Sequence, residues 1–273
     1  MGCRGGRPDT TMRAMTTTHP IWTAHYPVNT LVLDHRKRLG LVGLLQILQD
    51  VAWLHARHLG HGYEAMMDRG TLWVLARFQL AILGPRPTWG QDVTVRTWVR
   101  PPAGPIALRD YEILAEDGAP VAEATAGWLT LDAASRRPRK LALDGDGRFP
   151  YRRDGTLTLQ PGKLPPRTDL PEVARVAVHN SDLDVNGHVN NTHYARWILD
   201  TLPLAEIEAH RLVRYEINFL AESALGDTVI VERGPMDAVT GAGAVDAVDV
   251  QVQGRRASDG AVLFVARLGA ERR

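Results

Sequence analysis

Apolar residues recur at helical spacing in two places along the chain. Leu41, Leu44, Leu45, Leu48, Ala52, His55 and Leu59 share one face of a helix predicted over Leu41–His58, with Gly60 as its stop signal. Ile47, Val51 and Trp53 lie off that face, so this helix is expected to be covered on several sides. A second helix is predicted over 188–202, with Tyr194, Trp197, Ile198 and Leu202 on one face and Pro203 ending it. After each helix the pattern shortens to that of strands. Segments 72–83, 92–99, 106–116 and 119–131 follow the first, and 211–220, 228–232, 245–252 and 261–268 follow the second. One extended segment precedes each helix, at 23–33 and 173–179.

The order strand, helix, four strands therefore occurs twice. Two blocks strengthen the repeat: ARFQLAILGPRPTWGQDVTVRTW and RYEINFLAESALGDTVIVER each read strand, turn and strand, with Gly90 and Asp92 or Gly226 and Asp227 in the turn. A stretch rich in Pro, Gly and charge separates the halves. The organisation expected is a disordered tail at 1–20, a first domain at 21–145, a linker at 146–172 and a second domain at 173–273. One long helix against an antiparallel sheet is an α+β layer arrangement, and two such sheets meeting edge to edge would hide one edge of each.

Composition narrows the function. A net charge of +1 makes no case for nucleic acid or a membrane surface. No run approaches the roughly 18 apolar residues of a membrane span, and the first residues lack a signal-peptide core. The single cysteine, Cys3, excludes an internal disulfide and a cysteine-rich metal site, so a cytoplasmic, reducing compartment is expected. No metal-ligand spacing stands out, and no cofactor is implied.

Candidate chemistry concentrates in 179–194, HNSDLDVNGHVNNTHY, dense in Asp, Asn and His just before the second helix. Asp184, Asn186 and His188 alternate, so in extended chain their side chains would point the same way. This segment resembles the active-site segment of acyl–acyl carrier protein (acyl-ACP) thioesterases, which reads Asp-x-Asn-x-His-Val-Asn-Asn followed by Tyr and Trp, here Tyr194 and Trp197. In the first half Gln49-Asp-Val-Ala52, Leu59-Gly-His-Gly-Tyr63, Leu72–Arg77, Thr97-Trp98, Leu108-Arg-Asp110 and Trp128 are similar to that family's N-terminal domain.

The resemblance implies a tandem double hotdog, two long central helices each wrapped by an antiparallel sheet. It also implies hydrolysis of fatty acyl-ACP, with a fatty acyl chain and the carrier protein as partners. Asp184, Asn186 and His188 take the family's catalytic positions, and Glu222 takes a fourth in Phe219-Leu-Ala-Glu-Ser223. Ser223 stands where plant members carry Cys, so a cysteine nucleophile is not expected. Glu222 would act as base, position the water or attack directly to form an anhydride, Asp184 would orient Asn186 or His188, and the first helical turn would offer N–H groups to an oxyanion. The first half lacks the Asp-x-Asn-x-His element, which predicts one active site per chain, with the first domain shaping the acyl pocket. Asn190, Asn191, Gln49 and Asp50 read as structural polar groups, and 136–140 (RRPRK) as a solvated loop, with carrier docking as the alternative. An acyl-CoA thioesterase, a hotdog dehydratase and a non-catalytic acyl-thioester binder are the competing functions; a monomer and a homodimer are both allowed.

Overall fold

The computed structural model describes residues 19–102, 104–139, 149–154, 157–236 and 247–273. Residues 1–18 of the expected tail, Lys140, the first linker residues and the start of the strand expected at 245 lie outside them. Strand β1 (Trp22–Pro27) leads into helix α1 (Leu41–His58) and the short α2 (Tyr63–Asp68). Then come β2 (Thr71–Ile82), β3 (Asp92–Val99), β4 (Ala107–Ala115), β5 (Pro120–Asp132) and the two-residue β6 (Pro138–Arg139). The second half repeats the order with β7 (Glu172–Ala177), α3 (Asn191–Asp200), α4 (Leu204–Ala209), β8 (His210–Phe219), β9 (Thr228–Pro235), β10 (Ala247–Arg256) and β11 (Val262–Arg272).

All strands join one antiparallel sheet in the order β1-β3-β4-β5-β2-β8-β11-β10-β9-β7, with β6 paired to β5. The seam between halves is β2 against β8, where Arg77 faces Asn218 and Leu80 faces Tyr215. Each half thereby loses one open edge. The main hydrophobic core runs through both, from Leu44 and Leu48 on α1 to Tyr194 and Ile198 on α3, with Tyr215 and Phe264 from the second half's strands. This is the double hotdog that the family resemblance implies.

Helix α1 keeps its expected bounds, and Ile47 and Val51 are buried along with the main face, as a helix wrapped by a sheet requires. Trp53 instead stays 42% exposed. Helix α3 is shorter than its pattern suggested. Asn190 caps it, its Oδ1 accepting the Thr192 N–H at 2.9 Å, so His188 lies before the helix rather than at its start. At the other end the Thr201 hydroxyl donates to the Ile198 carbonyl at 2.7 Å, and Leu202 and Pro203 belong to the link into α4. Helices α2 and α4 escape the pattern because one and a half turns hold too few apolar positions to set a period.

The linker is a strap hydrogen-bonded across the sheet. Arg100 Nη2 donates to the carbonyls of Leu157 and Leu159 at 2.8 and 2.9 Å, and Asn218 Nδ2 to that of Gly162 at 3.0 Å. Further on, Gln251 Nε2 donates to the Pro165 carbonyl and Gln253 Nε2 to that of Arg167. Asn218, Gln251 and Gln253 alternate along their strands with the core residues Ile217, Val250 and Val252, so the strap covers the face away from the helices.

Candidate active site

The segment ahead of α3 is a tight turn, not the extended chain its alternation suggested. The Asp184 N–H donates to the His188 carbonyl at 2.8 Å, and the Gly187 N–H to the Asp184 carbonyl at 3.0 Å. Asp184 Oδ1 accepts the Asn186 N–H at 2.8 Å. Gly187, at φ 74°, occupies the left-handed region that closes this turn. Asp184 therefore meets Asn186 and His188 through the backbone. His188 pairs as a bridge with Ala224, and the Val189 N–H donates to the Ser223 carbonyl at 3.0 Å, which sets the segment carrying Glu222 beside it.

The first half contains the same turn. Asp34 N–H to Arg38 carbonyl is 2.7 Å, Lys37 N–H to Asp34 carbonyl 3.0 Å, and Arg36 N–H to Asp34 Oδ1 2.9 Å. Leu39 N–H donates to the Pro87 carbonyl at 2.8 Å, so Arg38 stands where His188 stands and Arg86 where Glu222 stands. Arg38 Nε and Arg86 Nη2 both bond Asp34 Oδ2, at 2.9 and 3.2 Å. Burial alone would raise the Asp34 carboxyl, but the Arg38 hydrogen bond and the charges of Arg86 and Arg38 hold it below the usual carboxylate range. One turn scaffold thus carries a His and a carboxylate in the second half, and a carboxylate locked between two guanidinium groups in the first.

In the second half, His188 Nε2 lies 3.2 Å from Glu222 Oε2. A third group joins them. Arg136, on the turn between β5 and β6, brings Nη2 to 3.2 Å from His188 Nε2 and Nη1 to 3.6 Å from Glu222 Oε1. His188 Nε2 can donate to Glu222 only as N–H and accept from Arg136 only through its lone pair, so the two contacts are alternatives. Arg136 reaches the pair from a non-glycine left-handed position, φ 57°. Asp132 Oδ1 holds that turn by accepting the Ser135 N–H at 2.8 Å. The Glu222 carbonyl accepts from Arg256 Nη2 at 2.8 Å, which fixes its backbone.

These groups border a cavity of about 890 Å³. Asp184, Asn186, His188, Asn191 and Glu222 line one part of it; Gln49, Trp53, Trp73, Arg109 and Trp128 of the first half line another. The cavity therefore runs from the His–Glu pair along α1 into the first half. Ser223 is fully buried and its Oγ accepts from the Tyr194 hydroxyl at 3.0 Å, a packing position out of reach of a substrate. Asp182, outside the family's motif, anchors the site: its Oδ1 accepts from His193 Nδ1 at 3.0 Å and Arg196 Nη2 at 2.9 Å. Among the described residues no group of three or more His, Cys, Asp or Glu is arranged to hold a metal ion.

Sequence comparison gives this geometry its family. The model of the acyl-ACP thioesterase N-terminal domain matches residues 20–145, and that of the C-terminal domain matches residues 167–260. The chain belongs to the acyl-ACP thioesterase family. A palmitoyl-acyl carrier protein thioesterase of Gossypium hirsutum is 29% identical over 215 residues, 74% of this chain and 52% of that protein. An oleoyl-acyl carrier protein thioesterase of Arabidopsis thaliana is 26% identical over 75% of this chain and 61% of its own length. The chain spans about half the length of such curated relatives. Among solved structures, an acyl-ACP thioesterase from Bacteroides thetaiotaomicron superposes with a TM-score of 0.80 at 24% identity, covering 92% of this chain and 98% of that one. The 12:0-ACP thioesterase of Umbellularia californica gives 0.79 at 17%, covering 93% and 94%. Both share the double hotdog fold.

Of the acyl-ACP thioesterase site expected from sequence, His188 and Glu222 meet through side chains, while Asp184 holds the turn and Asn186 projects from it exposed. Arg136 was missed: a run of cations reads as solvated surface, and only the αL turn directs this one inward. Asp50 is polar support as expected, accepting the Tyr26 hydroxyl at 2.9 Å.

Proposed function

We propose that this protein hydrolyses the thioester of fatty acyl-ACP, releasing free fatty acid and carrier protein. The observation that carries this reading is the His188–Glu222 pair, 3.2 Å apart, on a cavity that continues through the wall between the halves. A thioester at the pair places its acyl chain along α1, so the second domain supplies the chemistry and the first shapes the pocket. Glu222 takes a proton from water as the oxygen attacks the carbonyl carbon. Negative charge then builds on the carbonyl oxygen. The Asn186 amide, the N–H of Asn191 at the start of α3 and the Arg136 guanidinium are the donors at hand. The C–S bond breaks as the intermediate collapses, and His188 passes a proton to the departing thiolate. Asp184 keeps the turn closed and so aims both Asn186 and His188. Cys3 is the one cysteine in the sequence, so no cysteine thiol of the second half can be the attacking group. A cytoplasmic setting suits this reaction. No helix among the described residues is long and apolar enough to cross a membrane.

The test is thiol release from acyl-ACPs of graded length, beside the matching acyl-CoAs. Glu222→Ala and His188→Ala are each expected to lower kcat about 10²-fold or more, with KM little changed. Release unaffected by both substitutions would move the chemistry elsewhere in the cavity. Faster turnover of acyl-CoA than of acyl-ACP would reassign the carrier.

A further inference from the structure

A buried guanidinium stands in the wall of the cavity without a carboxylate. Arg109, on β4, is 7% exposed and borders the cavity. Its Nη1 donates to His55 Nδ1 at 2.9 Å and to Thr97 Oγ1 at 3.3 Å. Those are its only protein acceptors among the described residues, for a group with five N–H donors. The adjacent Asp110 points to the other face of the sheet, where Arg100 occupies it. His55 accepts through Nδ1, so Nε2 carries the hydrogen; that N–H is buried and also lacks an acceptor. This corner is rich in donors, and the Tyr111 hydroxyl two residues along β4 is the neighbouring oxygen that the Arg109 charge reaches. It lies well away from the reacting pair. His55 is six residues beyond Gln49 on α1, about 9 Å along the helix, and Gln49 shares a small hollow with Asn191. Three strand spacings, roughly 14 Å, separate β4 from β8, which leads to Glu222.

We propose that Arg109 ends the acyl pocket by charge rather than by volume: a saturated chain stops short of the guanidinium, and a chain long enough to reach it is accepted only if it carries an oxygen acceptor there. A methyl end pressed against Arg109 would strip solvent from N–H groups and return no hydrogen bond. An ω-hydroxyl or ω-carboxylate at the same depth would replace that solvent. This rests on the cavity being the acyl pocket, as proposed above, and names the class of chain it takes.

The test compares saturated and ω-hydroxy acyl chains of increasing length. Turnover is measured on acyl-ACPs, and binding by calorimetry on matching non-hydrolysable acyl thioethers. In the wild type, the saturated series should fall by about tenfold or more beyond one length, while the ω-hydroxy chain of that length is retained. Arg109→Met, close in volume, should abolish the fall and extend the saturated series; Arg109→Lys should keep it. The same cut-off in wild type and Arg109→Met, with no advantage for the ω-hydroxy chain, would show that volume sets the limit and overturn the proposal. The wild-type comparison of saturated and ω-hydroxy chains decides the matter even where a variant folds poorly. Binding with this length dependence but no turnover would remove the hydrolase reading and leave the polar stop standing. No binding of any chain would overturn both.

Discussion

His55 and Arg136 show how far a single side chain's behaviour depends on what surrounds it. Burial, then the neighbouring charges of Arg109 and His58, push the His55 imidazole down to about 3 from an ordinary 6.5. Its ring also lies against Trp22, with centroids 6.0 Å apart. Between those two values the unfolded chain binds one proton that the folded chain refuses, so acid favours unfolding. The stability from neutral His55 is complete above pH 6.5 and is lost as pH falls toward 3, on the order of a few kcal/mol in all. Unfolding free energies from denaturant melts across that range should fall with acid more steeply in the wild type than in a chain without this group. In His55→Gln, which keeps an acceptor for Arg109, they should flatten by one proton; an unchanged slope would mean that His55 is charged in the folded protein. Arg136 calls for a different experiment. Its αL backbone costs about 1 kcal/mol relative to glycine, while its guanidinium reaches His188 and Glu222. Arg136→Gly should leave stability level or slightly raised and lower kcat about tenfold or more. Activity intact in that variant would reduce Arg136 to a surface contact. His188 was legible because its neighbours in sequence form a dense pattern, and Glu222 only through the family resemblance of Phe219–Ser223; Arg136 and Arg109 were not, since nothing local distinguishes an inward guanidinium from a solvated one.

At the scale of elements, the two copies of the turn before the long helices form a natural comparison. Both close with a left-handed residue, Gly187 at φ 74° in one and Lys37 at φ 58° in the other. A lysine pays a steric cost there that glycine does not, so Lys37→Gly is expected to stabilise by up to about 1 kcal/mol in chemical melts. Gly187→Ala should destabilise by a similar amount, since space is open around it and only the backbone objects. Gly43 on α1 is a case of contact instead: an added Cβ would fall 2.4 Å from the Val32 carbonyl oxygen and 2.6 Å from its Cα. Gly43→Ala should therefore cost about 2 kcal/mol or more, and a neutral result would show that the loop over α1 yields easily. The long helix α1 and most strands were legible from period alone, because each presents one face to a continuous core. The early end of the α3 pattern was set by a cap, and the turn at Asp184–His188 by side-chain-to-backbone bonds, neither of which alternation can distinguish from extended chain.

The two halves are joined by more than the β2–β8 seam, because the strap crosses from one to the other over a buried polar layer. Asp110 sits at its origin with no exposed surface. Its carboxylate accepts from Arg100 Nε at 2.8 Å, Trp98 Nε1 at 3.1 Å, Thr125 Oγ1 at 2.8 Å and the Leu157 N–H at 3.2 Å. Arg100 in turn holds two strap carbonyls, so the pair fixes the strap where it leaves the first half. Composition marked this stretch as linker, and its described residues form no helix or strand ahead of β7. Its binding to the sheet was illegible, since the strap contributes backbone carbonyls and N–H groups and the sheet contributes polar side chains scattered from Arg100, just past β3, to Asp110 on β4, Asn218 on β8 and Gln251 and Gln253 on β10. Removing one member of a buried pair strands the other charge, so Asp110→Ala is expected to destabilise by about 3–5 kcal/mol. A subtler change separates fastening from folding. Gln253→Leu removes one strap contact in the second half, where Gln253 Nε2 meets the Arg167 carbonyl at 2.6 Å. Limited proteolysis should then cut within 157–171 faster than in the wild type, before the midpoint of unfolding has moved far. Because the cavity is walled by both halves, a loosened strap should also raise KM for long acyl chains more than for short ones. Proteolysis and chain-length profiles identical to the wild type would mean that the seam and the shared core hold the halves together without it.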